Sequence, residues 1–329
     1  GAVGYIEALR QARRTAEYRE GDRQDFFGLL PPSISHEGYS AKPMHSYWDD
    51  IFALRGLAAA ALLARATGRA AEAARYAALH AEFEEDVVAS LARVMRRHGI
   101  DYLPGAADLG DFDATSTTVA VTPGNLAAAL PSAALRATFE RYWGHATARL
   151  DSATDWDAYT PYELRTVGTM LRLGWKDRAL ALLRMFLADQ EPAAWNQWPE
   201  VVWRDRRALK FIGDSPHTWV GSDFLRSAAD LFAYEAEDDS ALVVGAGIDP
   251  AWLEDEGVRV ERLGTWWGPL SYSARRDGTA IRFRLEDGVR VPAGGIRVAQ
   301  PRDAAASRVT VDGMAIGPDA AGRIMVRRL

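Results

Sequence analysis

Cysteine is absent from the 329 residues, so neither a disulfide framework nor a thiolate zinc site can form, whatever the compartment. Also missing is an apolar run near the ~20 residues needed to span a bilayer. The longest low-polarity stretch, residues 56–66, is Ala-rich, is broken by Arg65, and reads as a packed helix. An excess of positive charge is lacking too. The net charge of −6 argues against a nucleic-acid partner, because phosphates call for a concentrated basic surface. Gly1-Ala2-Val3-Gly4 has no basic n-region, no apolar h-region and no initiator Met. No signal peptide is read there, and a fragment whose upstream portion has been removed is expected. Val244-Gly245-Ala246-Gly247 lacks the third Gly and the following helix of a phosphate-cradling loop. No Gly-X-Ser-X-Gly elbow supports a nucleophilic serine, and the six histidines stand at no ligand spacing. No cofactor is expected, with only a structural calcium held by carboxylates left open.

What is present is enough for a large core. With 48% hydrophobic and 26% charged residues, the chain should carry more than one domain. Up to about Glu237 apolar residues recur at three and four spacing amid Ala, Leu, Arg and Glu. That periodicity predicts roughly eight helices, over residues 1–20, 44–67, 70–97, 116–130, 132–150, 161–173, 176–190 and 220–234. Gly68 and Gly174 are expected helix stops, and Pro161 with Thr160 an expected start. Short connections make neighbouring helices antiparallel hairpins.

From Ser240 the pattern changes to short strands. Residues 241–244, 258–261, 270–273, 280–285, 296–298, 308–311 and 323–326 carry it, and several alternate apolar with polar. Asp277-Gly278, Asp287-Gly288 and Asp312-Gly313 punctuate them as turns. The expected organisation is a helical domain over 1–238 followed by an antiparallel β-sandwich over 239–329.

Three aromatic and acidic segments lie between the helices. They are His36-Glu37-Gly38-Tyr39-Ser40 running into Tyr47-Trp48-Asp49-Asp50, then Trp195-Asn196-Gln197-Trp198-Pro199-Glu200, then Gly213-Asp214-Ser215-Pro216-His217-Thr218-Trp219. Indole faces stack on the apolar faces of sugar rings, while carboxylates handle hydroxyls and glycosidic oxygens. A carbohydrate is the expected partner.

The order of these segments from Gly28 to Ala236 resembles an (α/α)6 toroid of the glucoamylase type, a fold shared by several glycoside hydrolase families. The resemblance rests on Glu37-Gly38-Tyr39-Ser40 with Met44-His45-Ser46-Tyr47-Trp48, and on Gly110-Asp111-Phe112-Asp113-Ala114-Thr115. It continues through Tyr159 to Thr166, then Trp198-Pro199-Glu200 and Ser215-Pro216-His217-Thr218-Trp219. Gly247-Ile248-Asp249-Pro250-Ala251-Trp252-Leu253 and Thr265-Trp266-Trp267-Gly268-Pro269-Leu270-Ser271-Tyr272-Ser273 look like the sandwich that trails rhamnosidase-like enzymes. A complete toroid of this kind has about twelve helices, against the roughly eight read here. The others would precede Gly1, and that missing part of the same protein is a possible partner. An incomplete ring would expose apolar edges.

The resemblance implies Glu37 as general acid and Glu200 as general base of an inverting, exo-acting glycoside hydrolase, the two carboxyls roughly 6.5–9.5 Å apart. Asp50 is the rival acid. Tyr39, Tyr47, Trp48, Asp49, Asp113, Trp198, Asp214, His217 and Trp219 are the candidate sugar contacts. Several of these residues have a plainer role beside the functional one: a capping or turn residue for Glu37, an ion pair with Arg204 or Arg206 for Glu200. Asp50 could cap a helix or pair with Arg55, Asp113 reads first as an N-cap, and Asp214 and His217 could serve the last helix. The same toroid also hosts polysaccharide lyases and sugar epimerases. For those, Tyr162 with Arg165, or His45 with Lys42, would supply a base and a cation for a uronate. A glycan-binding or assembly module is the non-enzymatic alternative. The substrate class favours a periplasmic or secreted location.

Overall fold

The computed structural model describes residues 1–36, 38–150, 154–207, 210–300, 309–311, 314–318 and 323–327. The chain forms two compact units, Gly1–Thr154 and Asp155–Leu329. Helix dominates up to Phe232, and strand follows.

The first unit holds α1 (Ala2–Gln11), α2 (Tyr47–Ala66), α3 (Ala70–His98), α4 (Ala114–Val121) and α5 (Ser132–Leu150), with two 3-10 turns at Ala16–Arg19 and Gly21–Phe26. Along α2 the buried residues Tyr47, Asp50, Leu54, Leu57, Ala61 and Ala64 recur at three and four spacing, and α3 answers with Phe83, Val87, Leu91 and Val94. One apolar stripe on each helix is therefore buried. α2 also leaves Phe52, Leu62 and Leu63 exposed. Gly68 (φ +74) separates the two helices as expected. α3 ends on Gly99 in the left-handed conformation, with Ile100 N–H donating to the Met95 carbonyl, the geometry of a Schellman cap. The helix expected over 116–130 is shorter than its periodicity implied. Pro123 has no N–H to continue it and forces Thr122 into extended backbone, so α4 stops at Val121.

In the second unit, Pro161 opens a 3-10 turn, Pro161–Leu164, that runs into α6 (Arg165–Arg172). Gly174 (φ +78) then stops α6 before α7 (Lys176–Ala188), and α8 (Thr218–Phe232) comes later. α6 and α7 pack as a hairpin. α6 and α8 also pack, and they run parallel: Arg165 pairs with Asp223 at 2.8 Å, and one heptad on, Arg172 pairs with Asp230. Seven residues is two turns, so both arginines and both aspartates lie along single faces. A two-stranded ribbon of β1 (Ala158–Tyr159) and β2 (Val202–Trp203) ties the start of the unit to the loop before α8.

α8 passes without a loop into β3 (Ala233–Ala236), earlier than the strand signal in the sequence. There follow β4 (Ala241–Val244), β5 (Val258–Thr265), β6 (Gly268–Asp277), β7 (Ala280–Leu285), β8 (Ile296–Ala299), β9 (Val309–Val311), β10 (Met314–Ile316) and β11 (Arg323–Val326). One sheet has the order β11-β8-β4-β3 and another the order β5-β6-β7, while β9 and β10 form a ribbon. An apolar cluster draws on both larger sheets: Leu242, Val244 and Ile296 from one, Leu270, Tyr272 and Ala274 from the other. All-antiparallel pairing was expected, and β4 with β8 breaks it by pairing parallel. Every residue of β4 is buried, as a central strand covered on both faces should be. Arg308 and the Asp312-Gly313 turn lie outside the described residues. No described helix is long and apolar enough to cross a membrane.

Candidate functional site

In the first unit the site residues come together around the openings of α2 and α4. Ser33 and Met44 exchange backbone hydrogen bonds and close a loop ahead of α2. Ala107 N–H then donates to the His45 carbonyl and Tyr47 N–H to the Gly105 carbonyl, which lays residues 104–107 beside that loop. Asp49, in the first turn of α2, accepts from Ser33 Oγ and, at 2.9 Å, from Ser35 Oγ. Asp113 caps α4 by accepting Ser116 N–H at 2.9 Å and also accepts the Ser116 hydroxyl. Asp111 accepts the Tyr39 hydroxyl at 3.0 Å and the Ala106 N–H at 2.9 Å. Burial raises the Asp111 carboxyl despite those donors, and burial beside Asp111 raises the Tyr39 phenol. His36 stands at the centre, its ring stacked on Trp48 at 4.7 Å and 20°.

Tyr39, Trp48, Asp49 and Asp113 thus share one cluster. Asp111, Ser35 and Ser116 belong to it and were not singled out, although Asp111 sits two residues before Asp113 in the same motif. Glu37 lies outside the described residues.

Two candidates from the first unit prove to be interior. Tyr47 is buried and its hydroxyl shares a 2.8 Å hydrogen bond with Ser90, which leaves nothing for a sugar. Asp50 is 1% exposed and its Oδ1 accepts only Leu30 N–H, at 2.9 Å, among the described residues. It cannot reach a substrate as the rival acid. Burial, opposed by the Leu30 bond and reinforced by Asp49, lifts its carboxyl to about 8. The folded protein therefore holds this proton more tightly than the unfolded chain does. Its stabilising contribution is complete below the ordinary value of 3.8, erodes as pH rises, and is lost above about 8. Asp50→Asn should flatten that dependence, measured by denaturant unfolding at about pH 4 and about pH 8. Equal slopes in parent and variant would remove Asp50 as the cause.

Trp48 is only 9% exposed, with His36 on one face and Phe52 tilted against it at 5.0 Å. It is a wall of the cluster and offers no open platform. Behind it lies an apolar cavity of about 20 Å³, lined by Tyr47, Ile51, Leu103 and Leu126 among others, with room for a water-sized occupant only.

In the second unit the loop before α8 is built as a clamp. Glu200 N–H donates to the Asp214 carbonyl, Val201 N–H to Ile212 and His217 N–H to Trp198, each at 3.0 Å. Gly213 (φ +66) lies so close that a Cβ there would meet Glu200 Oε2 at 2.0 Å. The Glu200 side chain is half-buried, and among the described residues no hydrogen bond or ion pair engages its carboxylate. The expected competing ion pairs are taken elsewhere: Arg204 pairs with Asp155, and Arg206 with Asp189 and Glu191. Gly213→Ala should cost roughly 1–2 kcal/mol in left-handed strain and push Glu200 aside. The variant should stay folded and lose turnover in any reaction that uses Glu200. Unchanged turnover would mean the clamp does not position a working group.

Trp198, expected as a stacking surface, is 1% exposed and donates its indole N–H to the Phe186 carbonyl at 2.7 Å. It is core, held against Phe224 at 5.1 Å. Trp219 is 41% exposed, leans on Tyr162 at 5.0 Å and has the Arg165 guanidinium 5.6 Å from its ring centre, so it is a partly exposed ring, unlike Trp198. The Tyr162 hydroxyl lies 2.7 Å from His217 Nε2, and His217 Nδ1 is 3.8 Å from Asp214 Oδ2. Tyr162 was weighed only for elimination chemistry, yet it belongs with His217 and Trp219. The Asp214 side chain is largely exposed, and its described service to Glu200 is through its backbone carbonyl.

Among the described residues no group of three or more metal-ligating side chains comes together. No protein-family model matches the chain, and no curated protein does either.

Proposed function

We propose that the protein is a glycoside hydrolase of the inverting class, with Glu200 as general base. The observation that carries this reading is the state of the Glu200 carboxylate: clamped by backbone, set beside buried Pro199 and Trp198, and engaged by no cation among the described residues. A structural glutamate in such a place would be expected to have an ion-pair partner. A base must instead keep a lone pair for the water it deprotonates. That water attacks the anomeric carbon on the face opposite the leaving group, and its proton passes to Glu200. Glu37 is assigned the complementary donation to the glycosidic oxygen on the strength of the motif resemblance. Within the second unit Trp219 is the candidate sugar platform. Parallel α6 and α8 with α7 as the return helix, and an apolar cluster drawing on two sheets, are what an (α/α)6 toroid followed by a sandwich would contain.

Elimination has one observation in its favour, the Tyr162–His217 hydrogen bond. Against it, Arg165, which would neutralise a uronate, places its Nε and Nη2 on Asp223 at 3.1 and 2.8 Å. His45 is buried, stacked on Phe26 at 4.0 Å and bonded to Asp108 at 3.1 Å. The test is a single preparation screened for reducing-sugar release, for unsaturated uronate absorbance and for glycan binding, with the anomer of any released sugar read by NMR. Release of the inverted anomer is expected. An unsaturated product would establish a lyase, and binding without release a glycan-binding module.

A further inference from the structure

We propose that His36 is held as an imidazolium between two carboxylates that it reaches through serine hydroxyls, and that this cation is the positioning residue of segment 33–40. A hydroxyl has one proton to give. Ser116 gives its proton to Asp113, and Ser35 gives its own to Asp49 Oδ1 at 2.9 Å. Each serine oxygen then faces His36 with lone pairs only, Ser35 at 3.1 Å from Nδ1 and Ser116 at 2.9 Å from Nε2. Both ring nitrogens must therefore donate, and an imidazole that donates twice is charged. Ser35 Oγ is also placed as a donor to Ser46 Oγ at 3.1 Å, so Asp49 and Ser46 are both acceptors for its one proton and neither contact spends it on the His36 ring.

The surroundings suit a cation. Asp113 Oδ2 is 3.8 Å from Nε2, and the ring lies nearly flat on the Trp48 indole, whose face attracts positive charge. The ionisable groups at the openings of the elements around it are Asp49 and Asp50 in the first turn of α2, which carries Arg55 and Arg65 further along, and Asp108, Asp111 and Asp113 ahead of α4. Its own segment and the approach to α2 add Glu37, Tyr39, Lys42 and His45. The two it reaches through serines are both carboxylates.

The ring thereby ties its own segment to α2 through Trp48 and Asp49, and to α4 through Ser116 and Asp113. Loss of one proton would leave one serine oxygen without its donor and loosen the tie. The bearing of this tie on catalysis rests on the reading of Glu37 as the acid, while the protonation state does not.

The test is nitrogen-15 NMR of the full chain carrying labelled histidine, with His36 assigned by the signals lost in His36→Gln. At about pH 7, where an ordinary imidazole is mostly neutral, His36 should show two protonated ring nitrogens and titrate above the usual midpoint. Ser116→Ala, which removes the acceptor of Nε2, should bring that midpoint down. A singly protonated ring at about pH 7 would overturn the proposal, and so would a midpoint that Ser116→Ala leaves in place. His36→Gln keeps hydrogen bonding but not charge, and it should lower kcat about tenfold or more with KM moving less. A variant as active as the parent would remove the positioning role. A parent that shows the imidazolium but cleaves no glycan would uphold the charged tie and strike down the hydrolase reading alone.

Discussion

Glu200→Gln should lower turnover about 10²–10⁴-fold while substrate affinity changes little. At about 1.36 kcal/mol per tenfold, that is roughly 3–5 kcal/mol of transition-state stabilisation. The substitution keeps the shape of the side chain and its fit against Gly213 but removes the proton acceptor. Because the described structure gives the carboxylate no ion pair or hydrogen bond to lose, the fold should be unaffected, and a fall in turnover would report chemistry. Parent and variant are to be compared on aryl glycosides and oligosaccharides at about pH 5–7, after matched unfolding curves. Full turnover by the variant on any substrate the parent cleaves would end the assignment of Glu200 as base.

Trp198→Ala should act on stability. A fully buried aromatic truncated to alanine costs about 3–5 kcal/mol through lost burial and the cavity left behind. The Phe186 carbonyl would also lose the indole donor that satisfies it, and an orphaned buried acceptor is worth about 1–3 kcal/mol. The two terms share one site and will not add in full. The expected measurement is a lowered denaturation midpoint with an unchanged denaturant slope. Trp219→Ala is the contrast: the ring is 41% exposed, so stability should barely move. Glycan affinity should weaken by about 0.5–1.5 kcal/mol if the ring stacks on sugar. Weakened binding in Trp198→Ala with little loss of stability would restore Trp198 as a platform.

Much of the local structure was legible. The three-and-four periodicity located all eight α-helices found among the described residues, because burying one stripe of a helix is a local, repeating requirement. Strands at 241–244, 280–285 and 323–326 were read to the residue, since alternation and glycine turns are equally local. The N-cap role of Asp113 was read as well, because a cap depends on residues three positions away. Pro123 was there to be used and would have shortened α4.

Other features depend on residues far apart in the chain, and no pattern carries them. Trp48, Trp198 and Trp219 look alike as aromatics within acidic segments. Only packing made the first a wall for His36, the second core and the third an exposed ring, because burial is set by whatever element lands on top. Asp50 follows Asp49 in the chain, yet one helical step turns its carboxyl inward to Leu30 while Asp49 meets two serines. The parallel run of α6 beside α8, and of β4 beside β8, joins segments more than fifty residues apart, and such pairings leave no local trace. The Glu200 carboxylate is the sharpest case. The sequence by itself determined that a glutamate follows Pro199 and that Arg204 and Arg206 lie within reach. Tertiary structure alone decided that both arginines turn to other acids, because Asp155, Asp189 and Glu191 are brought to them by the fold. That leaves the Glu200 carboxylate without an ion pair among the described residues.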